Sequence, residues 1–91
     1  MPEKIRCAHI LVKTEAEAKE LLEELHHGTE FGKLAQQHSV CPSGKRGGDL
    51  GTFGRGMMVR PFEKAAFELQ KGQLSGIVKT EFGWHIIKRL E

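Results

Sequence analysis

Cysteine and histidine are the side chains best equipped for chemistry in this sequence, and four of them stand out: Cys7, His9, Cys41 and His85. Brought together in space they could bind a metal ion. Yet no C-x₂-C or H-x₃-H pair is present, and such spacing is what makes a zinc site legible in a sequence. No metal or other cofactor is therefore expected. Cys41 with a histidine partner could act as a nucleophile. A free cysteine can equally pack as a small hydrophobe, and the residues alone leave both readings open. Cys7 reads as a buried neighbour of His9. His26, His27 and His38 fall at helix ends or on the surface.

Cys41 lies in the stretch "SVCPSGKRGGDLGTFGRGMMVRPF", residues 39–62, which holds six of the chain's 11 glycines. Glycine is costly to order, so its concentration in a small domain asks for a reason. A phosphate cradle of the form G-x-x-x-x-G-K-[ST] is excluded: Ser39 stands at the first glycine position and Arg46 replaces the hydroxyl residue. A dinucleotide fingerprint fails too, because Gly54 and Gly56 are followed by Val59 where a third glycine belongs.

The elements that must position these residues follow from periodicity. Lys4–Lys13, "KIRCAHILVK", reads as a strand with Cys7, His9 and Leu11 on one face and Ala8, Ile10 and Val12 on the other. Apolar residues on both faces imply a central strand. Thr14 and Glu17 form a capping-box pattern ahead of Ala18, Leu21, Leu22 and Leu25, a helical stripe that Gly28 closes. A second helix spans 30–38, with Thr29 as the expected N-cap and Phe31, Leu34 and Ala35 buried. A short strand is expected over 50–53. Pro61 suits the first position of a third helix, whose stripe is Phe62, Ala65, Ala66 and Leu69 and which Gly72 stops. Residues 76–79 form a short apolar piece, 81–83 a turn, and 84–90 the last strand. The order β-α-α-β-α-β-β predicts an α+β domain with a mostly antiparallel sheet.

Length and composition set the outer bounds. With 91 residues the chain reads as one domain, 1–91, and 29% charged against 38% hydrophobic residues is the balance of a globular protein. No apolar run is long enough to cross a membrane. The N-terminus does not read as a signal peptide, so a cytoplasmic protein is expected, with its two cysteines as thiols. The net charge of +2 comes from scattered basic residues, which argues against nucleic acid. A nucleic-acid reading would have to rest on Lys45, Arg46, Arg55 and Arg60.

Taken together, "AHILVK", "FGKLAQQHSVCPSGKRGGDLGTFGRGMMVRPFEKAAFEL" and "FGWHIIKRL" resemble the parvulin family of peptidyl-prolyl cis/trans isomerases. The resemblance runs from about Ile5 to Leu90, and is to a small, stand-alone parvulin of bacterial or archaeal type. It implies a four-stranded antiparallel sheet surrounded by helices, with the first and last strands at its centre. His9 and His85 match the family's paired histidines, Cys41 its active-site Cys-or-Asp position, and Thr80 a hydroxyl that joins the histidine network. Leu50, Met58 and Phe62 match the apolar pocket for the substrate proline ring; periodicity alone would make Met58 and Phe62 ordinary core. Where many eukaryotic members carry a small serine, this chain has Phe82, which implies extra apolar surface for residues flanking proline.

The resemblance gives the glycine-rich stretch a purpose, since a peptide substrate must come close to backbone. The implied reaction is rotation about an X-Pro bond without making or breaking a bond. It would act on proline-containing peptides and unfolded protein segments, with Cys41 as an electrostatic neighbour. His9 and His85 take a mixed role: chiefly they satisfy one another inside the sheet, and in part they fix Cys41's protonation and the local field. A monomer is expected, and a module that binds proline peptides without catalysis is the alternative. Phosphate before proline is not expected to help, because Lys13 runs directly into Glu15 and Glu17.

Overall fold

A computed structural model describes residues 3–91. Strand β1 (Lys4–Val12) leads into helices α1 (Glu15–His26) and α2 (Phe31–His38), then a 3-10 turn over Pro42–Arg46. Strand β2 (Asp49–Gly54), helix α3 (Arg60–Glu68) and strands β3 (Leu74–Thr80) and β4 (Gly83–Arg89) complete the chain. The sheet order is β2-β1-β4-β3 and every pairing is antiparallel, so the first and last strands lie at the centre as expected.

Alternation along β1 divides the core. Ala8, Ile10 and Val12 pack with Ala18, Leu21 and Leu25 of α1 and Phe31, Leu34 and Ala35 of α2. Ile5 and Cys7 face the other way, against Phe53, Phe62, Ala66, Leu69 and Ile87. Each large side chain buried in this way contributes roughly 1.5–3 kcal/mol.

The helix ends follow local hydrogen bonding. The Thr14 hydroxyl accepts the Glu17 amide at 3.2 Å, the expected cap of α1. At the other end Gly28 takes φ +98°, and the Gly28 and Thr29 amides donate back to the Leu25 and Glu24 carbonyls. This closure is a Schellman motif. It corrects the expected N-cap of α2: Thr29 is committed to ending α1, and Glu30 is the cap residue instead. Helix α3 likewise starts one residue early, at Arg60 with Val59 as cap, so Pro61 is its second residue. Neither position needs a free proline N–H.

The pairing of β2 with β1 reaches only to Ala8–Asp49, with an irregularity between Arg6 and Ala8. Beyond that point the segment 39–48 takes over the exposed edge of β1. The His9 amide donates to the Gly48 carbonyl at 2.9 Å and the Leu11 amide to the Ser39 hydroxyl at 3.1 Å; the Leu11 carbonyl accepts from the Val40 amide at 2.8 Å. At the bottom of the same strand the Leu90 amide donates to the Arg6 carbonyl at 2.7 Å, and the Arg6 amide to the Glu91 carbonyl at 3.2 Å.

Candidate active site

His85 sits opposite Leu11 in the central pairing and His9 opposite Ile87, which makes the two histidines diagonal neighbours on one face. Their Nδ1 atoms are 3.0 Å apart and their rings stack with centroids 5.2 Å apart. His85 Nε2 is 2.7 Å from the Thr80 hydroxyl, which also accepts the Phe82 amide at 3.1 Å. The Thr80 oxygen has a second lone pair, so it can exchange a hydrogen bond with His85 Nε2 in either sense, and the two imidazoles share one hydrogen between their Nδ1 atoms. His9 Nε2, at the end of this relay, is buried with no partner among the described residues. Burial holds His9 down at about 4, helped by the neighbouring His85, and burial alone does the same to His85. Both rings are therefore neutral at pH 7.

Cys41 stands beside this pair on the strapped segment. Its amide and that of Leu11 share the Ser39 hydroxyl, at 3.4 and 3.1 Å. The thiol is half-buried and its sulfur accepts the Ser43 hydroxyl at 3.3 Å. Among the described residues no hydrogen bond joins it to a histidine. The two Nδ1 atoms are engaged with each other and His85 Nε2 with Thr80, the mutual satisfaction expected of the pair. Gly48 makes the close approach possible. It has φ +86°, and a Cβ there would lie 2.3 Å from the His9 carbonyl oxygen.

Between this segment, α3 and the turn after β3 lies a cavity of about 530 Å³. Its walls include Leu50, Met58, Phe62, Phe82, Cys41, His9 and His85, so every expected site residue except Thr80 lies on it; Thr80 is one hydrogen bond further in, beneath His85. Phe62 is the floor, only 3% exposed, with its ring edge-on to both imidazoles. The rim is open and apolar: Val40 is 50%, Phe82 54% and Met57 67% exposed. Sequence reasoning missed Leu11, Val40, Pro42 and Val59, and left Met57 undecided. The signal for Val40 and Pro42 was their place on either side of Cys41. Among the described residues, Lys13 is the one formally charged side chain on the cavity wall.

Elsewhere the polar features are committed to structure. A hollow of about 380 Å³ beside Arg6 and Asp49 is closed in by an ion-pair network in which the Arg6 guanidinium bridges Asp49 and Glu91. That guanidinium also holds the Asp49 carboxyl below its usual range. Arg55 lies over the Phe67 ring at 4.3 Å and pairs with Glu63 at 3.6 Å. Cys7 is fully buried, and burial pushes its thiol up to about 11. No helix among the described residues is long and apolar enough to cross a membrane, and no cluster of three or more His, Cys, Asp or Glu there is placed to hold a metal ion.

An antiparallel sheet with a neutral histidine pair at its centre, roofed by an apolar groove and a cysteine, is the architecture of the parvulin class. The chain belongs to the rotamase family of PPIC-type PPIase domains, whose model matches residues 9–91. It is 55% identical over 86 residues to the foldase protein PrsA of Geobacillus sp. (strain WCH70), covering 93% of this chain and 31% of that one. The crystal structure of the peptidylprolyl isomerase PrsA from Bacillus cereus superposes with a TM-score of 0.95 at 51% identity, over 98% of this chain and 35% of that one. The solution structure of NmPin, the parvuline of Nitrosopumilus maritimus, superposes with a TM-score of 0.88 at 51% identity, over 100% and 99% of the two chains. The expected fold and family are thus borne out. The chain spans about a third of the length of the first curated relatives it matches, and kinship to such foldases lends the cytoplasmic expectation no support.

Proposed function

We propose that this domain accelerates cis/trans rotation of X-Pro bonds in peptides and unfolded protein segments, without covalent chemistry. The observation that carries the reading is the groove itself: an apolar socket of Leu50, Met58 and Phe62 running into Cys41 above two neutral histidines. Amide resonance makes the uncatalysed barrier ~18–20 kcal/mol. Catalysis then requires only that the site prefer the twisted amide to either planar form. The socket grips the proline ring while the preceding carbonyl swings past Cys41. A dry, weakly polar floor favours the twisted state, whose resonance dipole is reduced. Cys41 acts as a polar neighbour: its hydrogen bond is from Ser43, and covalent attack would need an adjacent base.

The residue before proline is proposed to be uncharged. Lys13 is the one formal charge on the groove wall among the described residues, and the first turn of α1 places Glu15 and Glu17 just after it. A phosphate dianion would find one ammonium and no arginine fork. Exposed Phe82 and Met57 offer apolar surface to residues on either side of proline. We further propose a single domain over 1–91 that works as a monomer. A cytoplasmic location, also proposed, is supported only by the two free thiols.

The test is NMR exchange spectroscopy on matched peptides with Leu, Glu or phosphoserine before proline and catalytic amounts of protein. Faster exchange, greatest for Leu, is expected. Saturable binding with unchanged exchange would make the domain a binding module. Fastest turnover of the phosphopeptide would overturn the proposed specificity.

A further inference from the structure

Ser43 has a hydroxyl with no structural duty. The residue is 3% exposed, inside the 3-10 turn that follows Cys41. The backbone of this turn is satisfied without it. The Gly44 amide donates to the Cys41 carbonyl at 2.9 Å, the Gly47 amide to the Gly44 carbonyl at 3.0 Å, and the Gly48 amide to the Ser43 carbonyl at 2.8 Å. The Cys41 amide is served by Ser39. The only partner of the Ser43 hydroxyl among the described residues is the Cys41 sulfur, at 3.3 Å. Burying a hydroxyl costs free energy that a weak bond to sulfur only partly returns. Alanine would hold the turn as well and avoid that cost, so the hydroxyl's effect is to be sought at the thiol.

We propose that Ser43 is a positioning residue of the isomerase site, donating to the Cys41 sulfur so that the thiol's own S–H is turned toward the groove. The inference rests on the isomerase reading above. A sulfur that accepts from Ser43 cannot point its hydrogen along the same line, and the other side of Cys41 faces the cavity. The swinging carbonyl then meets a donor already oriented, which avoids ordering it during rotation.

A cycle of substitutions separates this role from simple packing. Ser43→Ala should lower kcat/KM roughly three- to tenfold in the native background, the range of one lost hydrogen bond. A carboxylate at 41 has no hydrogen to orient, so the loss should shrink in Cys41→Asp, and nothing measurable should remain of it in Cys41→Ala. A packing defect would instead lower activity in all three backgrounds, and that result overturns the proposal, as does an unchanged Ser43→Ala. Alkylation by iodoacetamide gives a readout independent of catalysis. Cys7 is buried and its thiol held near 11, so the reagent reports on Cys41. Without the Ser43 bond the thiol is no longer held facing the groove. Ser43→Ala should therefore slow alkylation of folded protein about threefold, and an equal or faster rate overturns the bond. A native protein that does not speed exchange overturns the isomerase reading and this role with it. An active protein whose rates ignore Ser43 overturns this role alone.

Discussion

The two faces of the central sheet are built from the same strand and differ in almost everything else. On one, Ala8, Ile10 and Val12 meet α1 and α2 in a wholly apolar layer. On the other, Ile5 and Cys7 start a similar layer against α3, but His9 and His85 interrupt it and the groove opens above them. The closed face is made by two adjacent helices with a tight connection. The open face has only α3, and a glycine-rich segment takes the place of a second helix. A segment with little side-chain bulk can lie on strand backbone, as Gly48 does over His9, and leaves room beside it for a peptide. Both faces thus carry buried core, and only one of them is opened into a groove.

That division can be broken by experiment. The largest effect is expected from Ile10→Ala, which empties a fully buried site on the closed face. Urea unfolding should show a loss of about 3–4 kcal/mol, while the folded variant keeps isomerase activity within about twofold. A large loss of activity in the folded variant would show that the faces are coupled.

The next effect comes from acid. His9 and His85 are held near 4, below the ordinary value of 6.5. Between those values the unfolded chain binds protons that the folded chain refuses. Stability is therefore full above about pH 6.5 and falls as the pH drops toward 4. Unfolding midpoints at pH 7.5 and 4.5 measure it, and a His9→Asn, His85→Asn double variant should flatten the dependence. A native protein as stable at the lower pH would mean the pair is not buried neutral.

The smallest of the three effects is specific to the groove. Met58→Ala on the half-buried wall should lower kcat/KM at least tenfold, about 1.4 kcal/mol in the transition state, with little change in unfolding. Unchanged kcat/KM would remove Met58 from the socket.

What the sequence disclosed and what it hid follow the same division. β1 was legible because Cys7-His9 and Ala8-Ile10-Val12 alternate cleanly, and α1 because a cap, a stripe and a closing glycine agree. The histidine pair and the socket were reachable through the family resemblance, since those residues lie in long matching motifs. The 3-10 turn over Pro42–Arg46 was not: five residues give no periodicity, and its glycines read as loop. The N-cap of α2 was misread because Thr29 suits both jobs and only the Schellman closure decides between them. The Ser43 bond to Cys41 was hidden because it depends on the shape of that turn. Val59 escaped notice because tertiary packing alone sets it on the groove wall, whereas Leu11 was placed on the His9 face by alternation but not read as groove.

The hydrogen bonds between Arg6 and residues 90–91 have a topological meaning as well. They bring the first described strand and the end of the last into one antiparallel step, so the chain enters and leaves the fold at neighbouring points. A domain tied off in this way can be carried in the middle of a longer polypeptide, because the host need not stretch to span it. It can be spliced in or out at a single site, and its groove opens from the other end of β1, where a host segment would not cross it.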